Sequence, residues 1–140
     1  MRFMVMVRAT KDSEAGKMPD EKMLAAMMKY NEALVKAGIM QAGEGLQASS
    51  KGARIKFSGT DRTVTQGPFP LEGLIAGFWI FNVKSKEEAI EWVKRAPNPM
   101  EGVSEIEIRQ IFEAEDFGEN LTPDMKAQEE RLRAQTAAKH

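Results

Sequence analysis

The sequence lacks several groups on which common enzyme mechanisms depend. Its 140 residues include no cysteine and a single histidine, His140, which is the last residue. The missing cysteine excludes disulfides, thiolate metal sites and cysteine nucleophiles. A histidine at the terminus leaves none for a catalytic triad, a metal site or a general base inside the fold. We therefore predict no metal and no cofactor, and we assign no catalytic residue.

A strong charge imbalance and long apolar segments are also missing. Twenty basic and 21 acidic side chains give a net charge of −1, which argues against binding to nucleic acid or anionic membranes. The apolar run from Phe3 to Val7 is shorter than the core of a signal peptide. No stretch approaches the roughly 18 apolar residues of a membrane helix. We expect a cytoplasmic protein that contacts neither nucleic acid nor membrane.

The periodicity of the apolar residues predicts four main strands, two helices and one inserted hairpin. Residues 10–18 are polar and predict a loop. In chain order, the predicted elements are a strand at 2–9, a helix from Pro19 to Gly38, an irregular strand at 39–46, a hairpin of 53–58 and 62–66, a strand at 74–83, a helix that begins after Ser85 with a capping box to Glu88, and a strand at 104–112. This order predicts an α+β fold with a ferredoxin-like βαββαβ protomer and its helices on one sheet face.

Two of the predicted strands, 2–9 and 74–83, are apolar on both faces. Because two helices can cover only one face of the sheet, the other face needs a further partner. A second copy of the chain would cover it, which predicts a homodimer with a shared sheet core. The alternative is that the C-terminal segment covers this face within one chain. Methionines such as Met4 and Met6, among ten in the chain, suit an adaptable interface.

The C-terminal segment predicts a separate helix over 122–139. Thr122 is a suitable cap, Pro123 suits the first helical position, and Glu129 can pair with Arg133. Its apolar side is thin, so the helix is marginal alone. We interpret it as an arm across the dimer partner, with a frayed tail as the alternative. The predicted domains are therefore 1–117, an α+β domain, and 118–140, a helical extension.

Several short motifs occur in an order that resembles the YCII-related family, also called DGPF-domain proteins. The resemblance covers roughly residues 1–117 and implies a ferredoxin-like protomer in a dimeric α+β barrel. It implies either an enzyme-like role, as in relatives with a His–Asp pair, or an accessory role beside extracytoplasmic-function sigma factors. The motifs are Gly43-Glu44-Gly45-Leu46, Gly67-Pro68-Phe69, Ile75-Ala-Gly-Phe-Trp79 and the Ala-Ile-Glu-Trp-Val segment at 89–93.

The chain departs from the family pattern at two places. Gln66 stands where the family has an aspartate before Gly-Pro-Phe, and the following loop keeps only Glu72 of its usual charged residues. Glutamine cannot act as a general acid or base, although it can partly replace an aspartate that shapes the turn. The enzymatic histidine of some relatives is absent as well. If the family chemistry depends on these groups, this chain lacks it.

Three charged residues are candidates for a ligand site. Glu44 lies between two glycines, where a partly desolvated carboxylate could act as a base or bind a cation. Arg8 and Arg109 lie on outer strands among apolar residues and could hold an anionic ligand by paired hydrogen bonds. The alternative for both arginines is an ion pair with Glu44, Glu105 or Glu107.

Aromatic residues supply the remaining candidates. Phe69, Phe78 and Trp79 could line an apolar pocket, although aromatics at strand spacing usually pack in the core. With Gln66 and Glu72, they complete the predicted ligand site in a cleft near the dimer interface. The sequence thus predicts a small-molecule-binding or enzyme-like protein. The alternative is a non-catalytic accessory protein that acts through protein contacts with a sigma-factor-type partner.

Overall fold

Alternating side chains fix the central strand of the main sheet. In β1 (Arg2–Arg8), Phe3, Val5 and Val7 are buried, whereas the intervening Met4 and Met6 are half-buried. Successive side chains of a strand point to opposite faces. The first group therefore faces the core and the second lies on the outer face of the sheet, as the sequence predicted.

The computed structural model describes residues 1–139, so His140 and the prediction based on it lie outside the described residues. The remaining strands are β2 (Met40–Gly45), β3 (Ala53–Ser58), β4 (Asp61–Gln66), β5 (Ile75–Asn82) and β6 (Ile106–Gln110). The helices are α1 (Lys11–Glu14), α2 (Glu21–Lys36), α3 (Lys86–Lys94) and α4 (Pro123–Lys139), with short 3₁₀ turns at Ser49–Lys51 and Ala114–Asn120.

Four strands form one antiparallel sheet in the order β2-β5-β1-β6, and β3 and β4 form a separate two-stranded sheet. When the β3–β4 hairpin is set aside, this order is that of the ferredoxin-like βαββαβ fold. The predicted α+β class, the inserted hairpin and the C-terminal helix are therefore confirmed.

Helices α2 and α3 cover the inner face of this sheet. Asp20 caps α2 by accepting a hydrogen bond from the backbone N–H of Met23 (2.8 Å). Tyr30 and Leu34 of α2 and Ala89 of α3 are buried in the same core as the inward side chains of β1 and β5. The positive φ of Gly38, 73°, ends α2 in a conformation that favours glycine. The core thus lies between the helices and one face of the sheet.

Two local predictions were wrong. Residues 11–14 form α1 rather than a loop, because Thr10 and Ser13 make a reciprocal capping box that stabilises a single helical turn. The other wrong prediction is the complete capping box of Ser85 and Glu88 at the start of α3. Ser85 accepts from the N–H of Glu88 (3.1 Å), but the Glu88 carboxylate accepts from the N–H of Lys84 (3.3 Å) rather than from Ser85.

The predicted irregularity of the strand at 39–46 is confirmed in β2. Its pairing with β5 shifts between Met40 and Ala42. A Cβ at Gly43 would lie 2.6 Å from the Cε of Met40 and 2.9 Å from the Cδ1 of Trp79. Side chains from the core therefore occupy the space that any larger residue at Gly43 would need.

Residues 111–139 belong to a second compact unit. Its helix α4 begins as predicted, because the Thr122 hydroxyl accepts from the N–H of Met125 (3.3 Å). The predicted pair of Glu129 and Arg133 is confirmed at 2.8 Å. None of the described residues of α4 is buried. Across residues 1–139, no helix is both long enough and apolar enough to cross a bilayer.

Candidate functional site

The loop after β4 packs tightly against the 3₁₀ turn at Ser49–Lys51. A Cβ added at Gly67 would lie 1.8 Å from the backbone oxygen of Ser49, so this position admits no side chain. The N–H of Gly67 donates to the oxygen of Gly52 (3.0 Å), and the Gly67–Pro68 peptide is cis. The glycine of the Gly67-Pro68-Phe69 motif is thus required by a close approach of two backbone segments.

Ser49 joins this loop to α1. Its hydroxyl accepts from the N–H of Phe69 (3.0 Å) and donates to the carboxylate of Glu14, to which the Ser49 N–H also donates (2.9 Å). Two hydrogen bonds from Ser49, of which the one from the hydroxyl has the larger effect and the one from the N–H the smaller, hold the pKa of Glu14 below the usual value of 4.5. A less basic carboxylate is a poor general base at neutral pH. We therefore interpret this arrangement as positioning the Phe69 loop rather than activating Ser49.

Two adjoining cavities open beside Phe69. The first, of about 290 Å³, is lined in part by Glu14, Leu46, Ser49, Arg54, Phe69 and Leu74. The second is a wider groove of about 620 Å³ along the hairpin, lined in part by Arg54, Lys56, Thr65, Pro68, Phe69 and Pro70. The guanidinium of Arg54 lies 4.0 Å from the centre of the Phe69 ring. This stacked pair is common to both cavities.

The outer face of the four-stranded sheet is a second candidate surface. Its centre is apolar and half-buried, and the pairing of β1 with β5 places Met4 opposite Ile80 and Met6 opposite Phe78. Helices α2 and α3 pack on the opposite face. The residues of β2 with the same orientation include Glu44, which pairs with Phe78.

The two predicted arginines of this outer face form ion pairs, as the alternative interpretation stated. Arg8 contacts the carboxylates of Glu107 (3.3 Å) and Glu105 (3.5 Å), and Arg109 contacts Glu107 (3.4 Å). These pairs are partly exposed, and pairs of this kind stabilise a protein by about 0–1 kcal/mol. The arginines can therefore exchange these carboxylates for another anion at small cost.

The remaining predicted residues lie in different places. Phe69 lines both cavities, while Gln66 pairs with Ala53 at the exposed base of the hairpin and Glu72 lies in the exposed turn before β5. Trp79 faces the core, where its Nε1–H donates to the Oδ1 of Asn31 (2.8 Å). The structure thus separates the predicted site into the Phe69 loop, the outer sheet face and the core.

Most residues of the cavities were not predicted as site residues, among them Glu14, Ser49 and Arg54. The capping residues Thr10 and Ser13 could have indicated α1 and hence a fixed position for Glu14. Ser49 has no comparable signal, because its partners lie 35 and 20 residues away in the sequence. Arg54 alternates with apolar residues in β3, which indicates its face of the hairpin but not the neighbouring Phe69.

The fold and the motif geometry define an α+β protein with a ferredoxin-like sheet, an inserted hairpin and a Gly-Pro-Phe loop seated on a serine turn. The chain matches the YCII-related domain family over residues 1–115, and it belongs to that family. No functionally curated protein matches the sequence. One solved structure that matches this chain is a 5-chloro-2-hydroxyhydroquinone dehydrochlorinase from Burkholderia phenoliruptrix, in complex with 2,5-dihydroxybenzoquinone. It is 16% identical, with a TM-score of 0.45, and the match covers 80% of this chain and 94% of that one.

Proposed function

We propose that this protein binds a small molecule, in an enzyme-like manner, in the cavities beside the Phe69 loop. The observation that supports the proposal is that two adjoining cavities share the stacked pair of Arg54 and Phe69. Their volumes, about 290 and 620 Å³, lie near or within the roughly 300–1,000 Å³ of typical ligand sites. Apolar walls with a few polar groups are also typical of such sites.

The chemistry of these walls favours binding and orientation over proton transfer. Glu14 has a lowered pKa and is already bonded to Ser49. Gln66, near the same loop, cannot act as a general acid or base at neutral pH. Glu44 and Arg109 remain proposed ligand residues on the outer sheet face, where a dimer would create a second cleft. We also propose a cytoplasmic location, with which the absence of cysteine agrees.

The proposal includes a homodimer formed through the outer face of the sheet. An apolar centre at Met4, Met6, Phe78 and Ile80, on the face opposite α2 and α3, is typical of an interface. Analytical ultracentrifugation should give twice the 15.6 kDa of one chain. Ile80→Glu should shift the protein to monomer, whereas Val35→Glu, at an exposed residue of α2, should not. A wild-type protein of monomer mass would contradict the dimer.

A thermal-shift screen against neutral, anionic and cationic metabolites tests the ligand site. The hairpin offers a matched control, because Arg62 lies over the ring of Phe57 at 4.4 Å much as Arg54 lies over Phe69. Ligands should raise the melting temperature of the wild type and of Phe57→Ala but not of Phe69→Ala. Ligands lost on Glu44→Gln or Arg109→Ala would instead place the site on the outer sheet face.

If no compound in the screen raises the melting temperature, the small-molecule proposal is wrong. Co-purification of a sigma-factor domain in that case would favour the accessory role that the family resemblance also implies.

A further inference from the structure

The groove along the hairpin has a one-sided charge. Arg54 and Lys56 lie on the same face of β3 and line the groove, and no carboxylate is among its lining residues within the described chain. Neither side chain makes an ion pair in the part of the chain that the structure describes. By contrast, Arg8, Arg109 and Arg133 each contact a glutamate. Two cations in one groove without an internal counter-ion favour an anionic ligand.

Arg54 is held in place by its aromatic neighbour. Its guanidinium lies 4.0 Å from the centre of the Phe69 ring, and the N–H of Phe69 is in turn bonded to Ser49. The N–H groups of a guanidinium lie in its plane, and a carboxylate can accept two parallel hydrogen bonds from them. Because stacking already restricts the side chain, less rotamer entropy is lost when a ligand binds.

The rest of the groove fits a flat organic body. Thr65 pairs with Arg54 across the hairpin, so its hydroxyl lies on the same face as both cations. The rings of Pro68, Phe69 and Pro70, together with Ile55, form the apolar part of the lining. The volume of about 620 Å³ is large enough for a ligand of metabolite size.

We propose that this groove binds a planar organic carboxylate, with the carboxylate on Arg54 and Lys56 and the ring against the proline and phenylalanine side chains. This inference rests on the proposed small-molecule function and names the class of its ligand. It also assigns specificity to Arg54 and Lys56, which the family motif does not include.

Nuclear magnetic resonance titration of the full chain tests the inference, with benzoate as the anionic probe and benzamide as its neutral counterpart. Benzoate should shift the amide signals of Arg54, Lys56 and Phe69 and should bind at least tenfold more tightly than benzamide. Raising the salt concentration should weaken benzoate binding only, because exposed charges are screened by salt.

Arg54→Gln should weaken benzoate binding at least tenfold, and Lys56→Gln should weaken it by a smaller factor. Arg62→Gln removes an arginine that also stacks on an aromatic ring, but on the other face of the same hairpin, so it should change the affinity less than twofold. Amide spectra of each variant verify that the hairpin is intact.

Equal binding of benzoate and benzamide, or an equal loss in Arg54→Gln and Arg62→Gln, would overturn the inference. If neutral metabolites bind at the Phe69 loop while benzoate does not, the inference fails but the small-molecule function stands. If nothing in the wider screen binds, both fail together.

Discussion

Replacing Gly67 with alanine tests the claim that the Gly-Pro-Phe loop is built around one backbone contact. The added Cβ would lie 1.8 Å from the Ser49 oxygen, and real Cβ contacts are essentially never below 3.0 Å. One segment must therefore retreat by at least 1.2 Å. Two hydrogen bonds are affected by that movement: Gly67 to Gly52 and Phe69 to Ser49, each 3.0 Å long.

The loss in the free energy of unfolding depends on which of the two segments moves, and the less costly movement sets it. If the loop moves, it loses two hydrogen bonds, which contribute about 0.5–1.5 kcal/mol each. If the Ser49 turn moves instead, overpacking that shifts the backbone costs about 1–3 kcal/mol. Both routes indicate a loss near 2 kcal/mol in the free energy of unfolding. For a chain of this length, that corresponds to a fall of about 4–8 °C in Tm.

Urea unfolding monitored by circular dichroism measures this loss. Gly45→Ala is the matched control, since a Cβ there would meet nothing within 4 Å and its φ is not positive. The control should be as stable as the wild type or more stable by about 0.4–1 kcal/mol. If Gly67→Ala unfolds at the same urea concentration as Gly45→Ala, the close approach does not constrain this position, and the explanation of the motif is wrong.

Three further predictions concern other parts of the chain. Burial, which outweighs the opposing effect of nearby Arg95, raises the pKa of Tyr30, the single tyrosine, to about 12. Absorbance at 295 nm should therefore rise near pH 12 in the folded protein and near pH 10 in urea. The free energy of unfolding should fall as the pH rises from 10 to 12. The pKa of Glu14 is lowered in the folded protein, so the wild type should have a larger free energy of unfolding than Glu14→Gln above pH 4.5. This difference should disappear as the pH falls below 4.5. A difference that persists in strong acid would show that the Ser49 contact is not its cause. Deletion of residues 120–140 should leave the sheet folded, and light scattering on that variant decides the role of the helix: a monomer supports an arm across the partner, and an unchanged dimer rules out an essential arm.

The elements with clear periodicity could be predicted from the sequence. The alternation in β1 and the helical spacing from Met23 to Leu34 follow directly from which face each residue buries. Thr10 and Ser13 show where this approach stopped: α1 is too short to have a periodic pattern, and its capping residues were interpreted as loop residues. The ion pairs of the two arginines were the alternative interpretation of the sequence, but the prediction that both lie on outer strands was wrong for Arg8, because β1 lies between β5 and β6 and only Arg109, on β6, is at an edge of the sheet.

The site could be predicted only where a motif marked it. Phe69 was found through the Gly-Pro-Phe motif, but Ser49, Glu14 and Arg54 reach it from distant parts of the chain. Their contacts depend on how the hairpin and the loop fold back, which no local pattern encodes. The strand position of Trp79 favoured the core over a pocket, and its burial and its hydrogen bond to Asn31 show the core role.

The β3–β4 hairpin has no strand pairing with the four-stranded sheet among the described residues, and all twelve of its strand residues are exposed. A two-stranded ribbon is marginally stable by itself. The amide hydrogens of the hairpin should therefore exchange with solvent through local opening, whereas those of β1 and β5 should exchange only when the whole domain unfolds. A ligand held by Arg54 must stop this opening, so part of its binding free energy is spent on ordering the hairpin. Affinity should then rise when the hairpin is stiffened, even by changes that never touch the ligand.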